Sequence, residues 1–373
     1  MSKYWNKLNI FRGHNEKNEK NEKLFLADGK ISIPTGKNDC KFIIVTSNDL
    51  QEISDFYCKN YRILKSQNTV KVFTTDLLRL LNVDAEIAII RKDKKLIGSI
   101  VSILIPICVS GYNGSLDIVS ERFNKIKSEN SFVFACTSYL IIENEFRGKG
   151  YGMSLIQNNL QTLHDNGGLV AYFINKVSRC NNSIPFNTWY FPTNFEKLDI
   201  CKYPYPKDYK IYFIEKMEKF SKCKSDMILV NDEYCLSAYN FYYQQVEDKK
   251  FYFAPSYDYW VKWVKSFPTY LCYKNEKIIG IFCFNTSHVK TPYSNENLHL
   301  GKLLFCLGDQ PGILSDAICK GSESFDLLNF YELGDLTSKH FSSVLAQQTE
   351  KLYINFYNTS LNLKTSDFYS PIF

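Results

Sequence analysis

The stretch Ser138-Tyr139-Leu140-Ile141-Ile142-Glu143-Asn144-Glu145-Phe146-Arg147-Gly148-Lys149-Gly150-Tyr151-Gly152-Met153-Ser154-Leu155-Ile156 reads as strand, exit, tight turn and helix start. With Phe132-Val133-Phe134 ahead of it, the β-rich run covers residues 132–143. Residues 153–164 then read as a helix. Three glycines in the six residues 147–152 let backbone come close to an anion. The amides of the turn and of the helix start converge on one place and favour negative charge. Arg147 and Lys149 add side-chain charge. The pattern predicts a cradle for a pyrophosphate, and a plain tight turn is the simpler alternative. A dinucleotide fold needs GxGxxG and a P-loop needs GxxxxGK(S/T); both are absent here.

Upstream, Glu86 to Val101 reads as strand, charged hairpin turn, strand. Helices are predicted over 48–63, where Asn48-Asp49 precede Leu50, Ile53, Phe56 and Tyr57 at helical spacing, and over 74–82. Downstream the pattern returns. Residues 258–265 read as a helix, Thr269 to Phe282 as a hairpin, Leu303–Leu307 as a strand and 312–320 as a helix. Lys92-Asp93-Lys94-Lys95-Leu96-Ile97-Gly98 and Lys274-Asn275-Glu276-Lys277-Ile278-Ile279-Gly280 match position by position as polar or apolar. The chain is therefore expected to hold two copies of one α/β unit in one continuous sheet, meeting near residues 200–250. The second copy lacks the RxxGxG turn, so one half would bind a cofactor and the other would do something else.

Composition sets the frame. The 373 residues are 45% hydrophobic and 16% aromatic, enough for a large core and against disorder throughout. No run of about eighteen apolar residues is present, so no membrane-spanning helix is expected. Met1-Ser2-Lys3-Tyr4-Trp5 has charge without an apolar run behind it, unlike a secretory signal. The net charge of +6 comes from lysines mixed with acids, which does not make a nucleic-acid footprint. Twelve cysteines lack CxxC pairs, and Cys272, Cys283 and Cys306 sit in apolar segments. Buried reduced thiols in a cytoplasmic protein are expected. His14, His164, His288, His299 and His340 make no HxxxH or His/Cys spacing, so no metal is expected. His164 ends a helix and reads as a C-terminal cap. Residues 15–23 repeat Asn-Glu-Lys and should separate a docking arm, residues 1–13, from the body.

The RxxGxG turn, preceded by a hairpin and a strand in this order, looks like the coenzyme A turn of the GNAT acyltransferase superfamily. With the duplicated unit, the chain resembles the N-myristoyltransferases, two GNAT units fused with only the first binding acyl-CoA. Lys3-Tyr4-Trp5-Asn6-Lys7 is similar to that family's aromatic-Trp-Lys arm, which wraps the cofactor. Ser138-Tyr139-Leu140 stands where the family has Asn-Phe-Leu, and Phe146-Arg147-Gly148-Lys149 where it has Leu-Arg-Ser-Lys. Tyr172 follows at the family's spacing; Trp189, Asn194, Lys197 and Leu198 match a Trp…Asn…Lys-Leu segment. Phe325-Asp326-Leu327-Leu328-Asn329 and Tyr357-Asn358 resemble late segments of the family. The resemblance implies an α/β (α+β) fold: two pseudo-symmetric GNAT-like units fused into one mixed, mostly antiparallel sheet flanked by helices. Its parts would be the arm and repeat at 1–23, an acyl-CoA-binding unit at 24–210, and a unit at 211–373 carrying the peptide side and the tail.

The resemblance also implies a mechanism. Amides of Tyr139 and Leu140, at a strand bulge, would form an oxyanion hole, and the terminal carboxylate of Phe373 would be the general base. Tyr4, Trp5, Arg147, Gly148, Lys149, Gly150, Tyr151 and Gly152 would bind myristoyl-CoA or another acyl-CoA. Ser138, Tyr172 and Trp189 would bind the peptide, and no metal would take part. The apolar ending Phe368-Tyr369-Ser370-Pro371-Ile372-Phe373 suits a buried tail or one packed for stability only. This sequence departs from the family at Ser138, at Phe173 in place of an amine-binding threonine, and at Thr188 and Tyr190 beside Trp189. Near residues 69–75, Val70, Val72 and Phe73 stand in place of an aromatic cluster. Three functions fit: a glycylpeptide N-myristoyltransferase, a GNAT-type enzyme moving another acyl group to an amine, and a non-catalytic acyl-CoA or peptide binder. A cytoplasmic monomer is the expected setting.

Overall fold

The computed structural model describes residues 41–45, 49–60, 62–64, 69–72, 74–112, 120–166, 170–176, 178, 182–203, 205, 210–211, 214–215, 223–344, 347–357 and 361–373. The first part of the chain gives β1 (Lys41–Ile44), α1 (Leu50–Asn60), β2 (Arg62–Leu64), β3 (Thr69–Val72), α2 (Thr74–Asn82), β4 (Glu86–Lys92) and β5 (Lys95–Val109). Next come α3 (Glu121–Ile126), β6 (Phe132–Ile142), α4 (Tyr151–Asp165), β7 (Val170–Asn175), β8 (Ile184–Pro192) and α5 (Phe195–Ile200). Then follow β9 (Asp226–Leu229), α6 (Cys235–Val246), β10 (Phe251–Phe253), α7 (Tyr257–Ser266), β11 (Thr269–Lys274) and β12 (Lys277–Lys290). The chain closes with β13 (Leu298–Gly308), α8 (Gly312–Ser322), β14 (Leu327–Tyr331), α9 (Ser338–Val344), β15 (Gln347–Tyr357) and β16 (Phe368–Tyr369).

The two matched sequence frames fold as two copies of one hairpin. Asp93 and Lys94 turn between β4 and β5 with φ of 49° and 66°; Asn275 and Glu276 turn between β11 and β12 with 51° and 63°. Two successive positive φ values suit the right-handed twist of the flanking strands. Just past each turn the ladder shifts, between Ile90 and Arg91 in one hairpin and between Cys272 and Tyr273 in the other. Gly98 and Gly280 follow those shifts. A Cβ on Gly98 would lie 2.4 Å from Ile142 Cδ1, and a Cβ on Gly280 would lie 2.3 Å from Ile313 Cδ1. The shared glycine is thus a packing requirement, set by a large side chain pressed onto the strand.

One sheet runs β1-β4-β5-β6-β7-β15-β8-β14-β13-β12-β11-β9, with β2, β3, β10 and β16 paired off this path. From each end it is antiparallel until β6 meets β7, and β13 meets β14, in parallel. The halves then exchange strands. β8 pairs with β14, β15 pairs with β7, and β8 and β15 pair with each other. The connection passes through residues 200–250, but the seam is β8 against β15. Since each half completes the other's ladder, the halves cannot tumble independently.

Helices cover both faces. α4 closes one small apolar cluster over Ala88, Ile90, Ile97, Ile100 and Ile142 through Tyr151 and Leu155. α8 closes its counterpart over Phe282 and Phe284 through Ile313, Leu314, Ala317 and Ile318. The largest cluster joins α1, α2, α6 and α7 to the sheet and includes Trp260, Trp263, Phe251 and the tail residues Phe368, Ile372 and Phe373. Ser256 starts α7 by accepting the Tyr259 amide at 3.3 Å. Cys272, Cys283 and Cys306 are buried free thiols, as expected. Cys223 and Cys319 are joined in a disulfide, which corrects the expectation of reduced thiols alone. Their separation of 96 residues carries no spacing signal.

Candidate active site

β6 and β7 run side by side only where Phe134, Ala135 and Cys136 face Val170, Ala171 and Tyr172. Beyond that they splay, and a cavity of about 310 Å³ opens between them. Thr137, Ser138, Tyr139 and Leu140 line one wall, Phe173, Ile174 and Asn175 the other, and Ile156, Asn159 and Leu160 of α4 the floor. On the β5 side the register steps from Ser99↔Ile141 to Val101↔Ser138, so Tyr139 and Leu140 together face Ile100. This is a β-bulge, and Tyr139 holds it with φ of 54°. Its carbonyl is fixed from behind by the Tyr57 hydroxyl at 3.0 Å. Tyr57 is fully buried, so the bulge rests on a rigid support.

The strand leads to the glycine turn. Gly148 and Gly150 have φ of 77° and 90°, a region that L side chains rarely adopt. Nothing lies within 4 Å of a Cβ built on Gly148, so its backbone lines open space. The Gly150 carbonyl accepts the amides of Met153 and Ser154 and starts α4. The first-turn amides of a helix have no intrahelical acceptor and point outward. Arg147 Nε donates to the Ile142 carbonyl at 2.7 Å, which fixes the guanidinium beside the turn. Lys95 is instead held by Glu143 at 2.8 Å and by Glu145. Those bonds raise the Lys95 pKa and lower that of Glu143. Exposed Arg147 and Lys149, with an outward helix start and a glycine backbone, fit a pyrophosphate group.

The tail reaches the same cavity from the other half. Phe368 stacks on Phe251 at 4.9 Å, and β16 pairs in parallel with β10. The Phe373 ring packs against Trp263 and Phe267 at 5.7 and 5.4 Å. Ser138 Oγ donates to the Phe373 main-chain oxygen at 3.3 Å, and Phe373 lines the cavity.

The sequence-predicted residues divide. Ser138, Tyr139, Leu140 and Phe373 meet in the cavity, and Arg147 to Gly152 form the turn that leads from β6 into α4, whose Ile156, Asn159 and Leu160 line it. Tyr172 is fully buried and does not line the cavity; its hydroxyl donates to the Pro371 carbonyl at 2.9 Å and lies 3.1 Å from Ser370 Oγ. Burial pushes its phenol pKa well up. Trp189 is buried against Phe341, stacked at 5.4 Å in the α8 cluster, and does not reach the cavity. Tyr4, Trp5, the repeat at 15–23, Phe73, Asn358 and the His164 side chain lie outside the described residues. Sequence reasoning missed Thr137, Asn159, Ile156 and Leu160. Asn159 had a signal: it follows Leu155 by one helical repeat, so a polar residue stands on the buried stripe. In the structure it is 1% exposed and donates to Ser102 Oγ at 2.8 Å.

By sequence, no family model and no curated protein matches this chain. By structure it is similar to crystal structures of Saccharomyces cerevisiae N-myristoyltransferase. One with bound myristoyl-CoA has a TM-score of 0.75 at 12% identity, covering 97% of this chain and 93% of that one. Another has a TM-score of 0.70 at 12% identity, covering 88% and 81%. A third, with myristoyl-CoA and inhibitors, has a TM-score of 0.70 at 11% identity, covering 90% and 84%. The fold is that of these N-myristoyltransferase structures, a mixed α/β architecture with a large, mostly antiparallel sheet. No helix among the described residues is long and apolar enough to cross a membrane.

Proposed function

We propose that the protein is an acyl-CoA-dependent N-acyltransferase of the N-myristoyltransferase kind. It moves a long acyl chain, myristoyl by preference, from acyl-CoA to the N-terminal glycine amine of a polypeptide. One observation carries the reading. The splayed cleft brings the bulge at Tyr139 and Leu140 together with Phe373, and among the described residues its lining holds no His, Asp, Glu, Lys or Cys side chain. The carboxylate at Phe373 is the base this reading assigns to the amine. The shared fold with yeast N-myristoyltransferase supports the same reading.

Arg147, Lys149 and the backbone from Gly148 to Gly152 would hold the pyrophosphate, and Tyr4 and Trp5 of the arm would wrap the cosubstrate. The amides at Tyr139 and Leu140 would receive the thioester oxygen as it gains charge. The Phe373 carboxylate takes a proton from the glycine ammonium, and the free amine attacks the thioester carbon. The C–N bond forms, the C–S bond breaks, and the thiolate leaves with the proton that the attacking nitrogen sheds as it becomes an amide. The unit at 24–210 would carry acyl-CoA, and the unit at 211–373 would supply the peptide side and the tail. A cytoplasmic monomer is the setting proposed.

The test is transfer from an acyl-CoA series, acetyl to myristoyl, to a peptide starting with glycine, read by mass spectrometry. An intact-mass measurement first establishes that the protein ends at Phe373. Removing Ile372 and Phe373 should cut turnover by about 10²–10⁴-fold and leave acyl-CoA affinity nearly unchanged. Full activity after that deletion would overturn the base. No transfer from any donor would overturn the enzyme.

A further inference from the structure

The C-terminal half has its own version of the acyl-CoA cleft. There β13 and β14 pair in parallel only at Leu300, Gly301 and Lys302 against Leu327, Leu328 and Asn329, and then separate. The opening lies between Leu303–Leu307 and Tyr331–Leu336, but only about 40 Å³ of it is empty. The chain's own Phe368, Tyr369, Ser370 and Ile372 fill it. The seat is built for them. The Tyr369 hydroxyl donates to Asp335 Oδ1 at 2.5 Å, and the Gly334 amide donates to the Thr365 carbonyl at 2.9 Å. A Cβ on Gly334 would fall 2.9 Å from the Tyr369 ring, and Gly334 sits at φ of 59°, so no other residue leaves the ring in place.

From the seat the tail crosses to the first half, where Tyr172 takes hold of it. This residue pairs with Cys136 where β6 and β7 are still in register, one step before they splay. Its hydroxyl spans Pro371 and Ser370, two and three residues before Phe373. Its ring is boxed by Phe356 and Phe368 at 6.1 and 5.9 Å, so the hydroxyl has little freedom. We infer that the second cleft serves as a seat for the chain's own tail, and that Tyr172 is the positioning residue that sets where the Phe373 carboxylate stands. This rests on the proposed role of Phe373 as base. Tyr172 touches neither donor nor acceptor; it acts through the tail.

The experiment compares wild type, Tyr172→Phe and the chain lacking Ile372 and Phe373, each with melting temperature, kcat, KM for acyl-CoA, and release of Phe373 by a carboxypeptidase. Tyr172→Phe keeps the ring and removes only the grip. It should lower kcat by about ten- to a hundredfold, the cost of a reacting group displaced by about 1 Å, with KM for acyl-CoA unchanged. It should also speed carboxypeptidase release of Phe373 from a protein that still melts cooperatively. Ser370→Ala should act the same way more weakly, and it stands in if Tyr172→Phe does not fold. If the truncation abolishes turnover while Tyr172→Phe and Ser370→Ala keep wild-type kcat and tail protection, the positioning role is overturned and the base survives. If the truncation keeps full activity, the base itself is overturned, and the positioning role falls with it.

Discussion

The cleft between β6 and β7 and the cleft between β13 and β14 start from one plan. Each follows a hairpin with the same turn, the same ladder shift and the same obligatory glycine, and in each half a helix starts just after the third strand. They end differently. The first holds about 310 Å³ of space, and the second about 40 Å³. The bulge of the first is held by Tyr139 at positive φ, whereas the second has its register shift nearer the far end, with Leu304 skipped between Phe305 and Leu303. The helix starts differ most. Gly148-Lys149-Gly150 is basic and open, while Asp309-Gln310-Pro311 is acidic and closed on itself: Gln310 Oε1 accepts the Leu314 amide at 3.3 Å. A duplicated frame can thus keep its packing rules while charge and glycine placement differ between the copies, and under the proposed function that difference selects the copy that takes a phosphate-bearing ligand.

The turn is where the comparison breaks most easily. Gly150→Val places a β-branched residue at φ of 90° and a side chain where, in the proposed function, backbone meets phosphate. Strain of roughly 1–3 kcal/mol adds to the lost approach, and acyl-CoA binding should fall below detection in a calorimetric titration. Arg147→Ala should be milder, about 1.5–3 kcal/mol for one charged hydrogen bond, which is roughly ten- to a hundredfold in affinity. Unchanged affinity in both would remove the turn from the site.

Much of this was legible before any coordinates. The helix at 74–82 was read at its observed limits, and both hairpins were found from charge and apolar frame alone, because turn chemistry and periodicity are local. The turn at 147–152 was legible for the same reason. The strand exchange was not, since nothing in the pattern of residues 184–192 or 347–357 states which distant strand each will join. Tyr172 and Trp189 show a related limit. The resemblance assigns both to the peptide, yet the fold puts one against the tail and the other against Phe341 of α9.

Gly98 and Gly280 allow the same substitution in both halves. An alanine Cβ would meet Ile142 Cδ1 and Ile90 Cγ2 at 2.4 and 2.8 Å in the first, and three atoms of Ile313 within 3.0 Å in the second. Overpacking of this kind costs roughly 1–3 kcal/mol, and both variants should unfold at lower denaturant. Gly280→Ala should be the less stable, because the whole Ile313 side chain is in the way. Only Gly98→Ala should also weaken acyl-CoA binding. Moving Ile142 would disturb the residue whose carbonyl anchors Arg147 Nε, whereas Ile313 lies in the half without the glycine turn. Equal effects on binding would mean that the halves are not specialised in this way.

The smallest expected effect comes from giving the second helix start the charge of the first. Asp309 is exposed, so Asp309→Lys should change stability by no more than about 0.5 kcal/mol. It should not create a second acyl-CoA site. Charge alone would attract phosphate, but the ligand would still lack three things. The amides of Ile313, Leu314 and Ser315 are already taken by Asp309, Gln310 and Pro311. Pro311 has no amide to offer. The cleft below is occupied by Phe368 to Ile372, held through Asp335 and Tyr172. Titration of this variant should therefore give wild-type stoichiometry and affinity for acyl-CoA. A second bound equivalent would show that the tail yields its seat to a ligand, and that the acidic residue at Asp309, rather than the tail, is what keeps the two halves different.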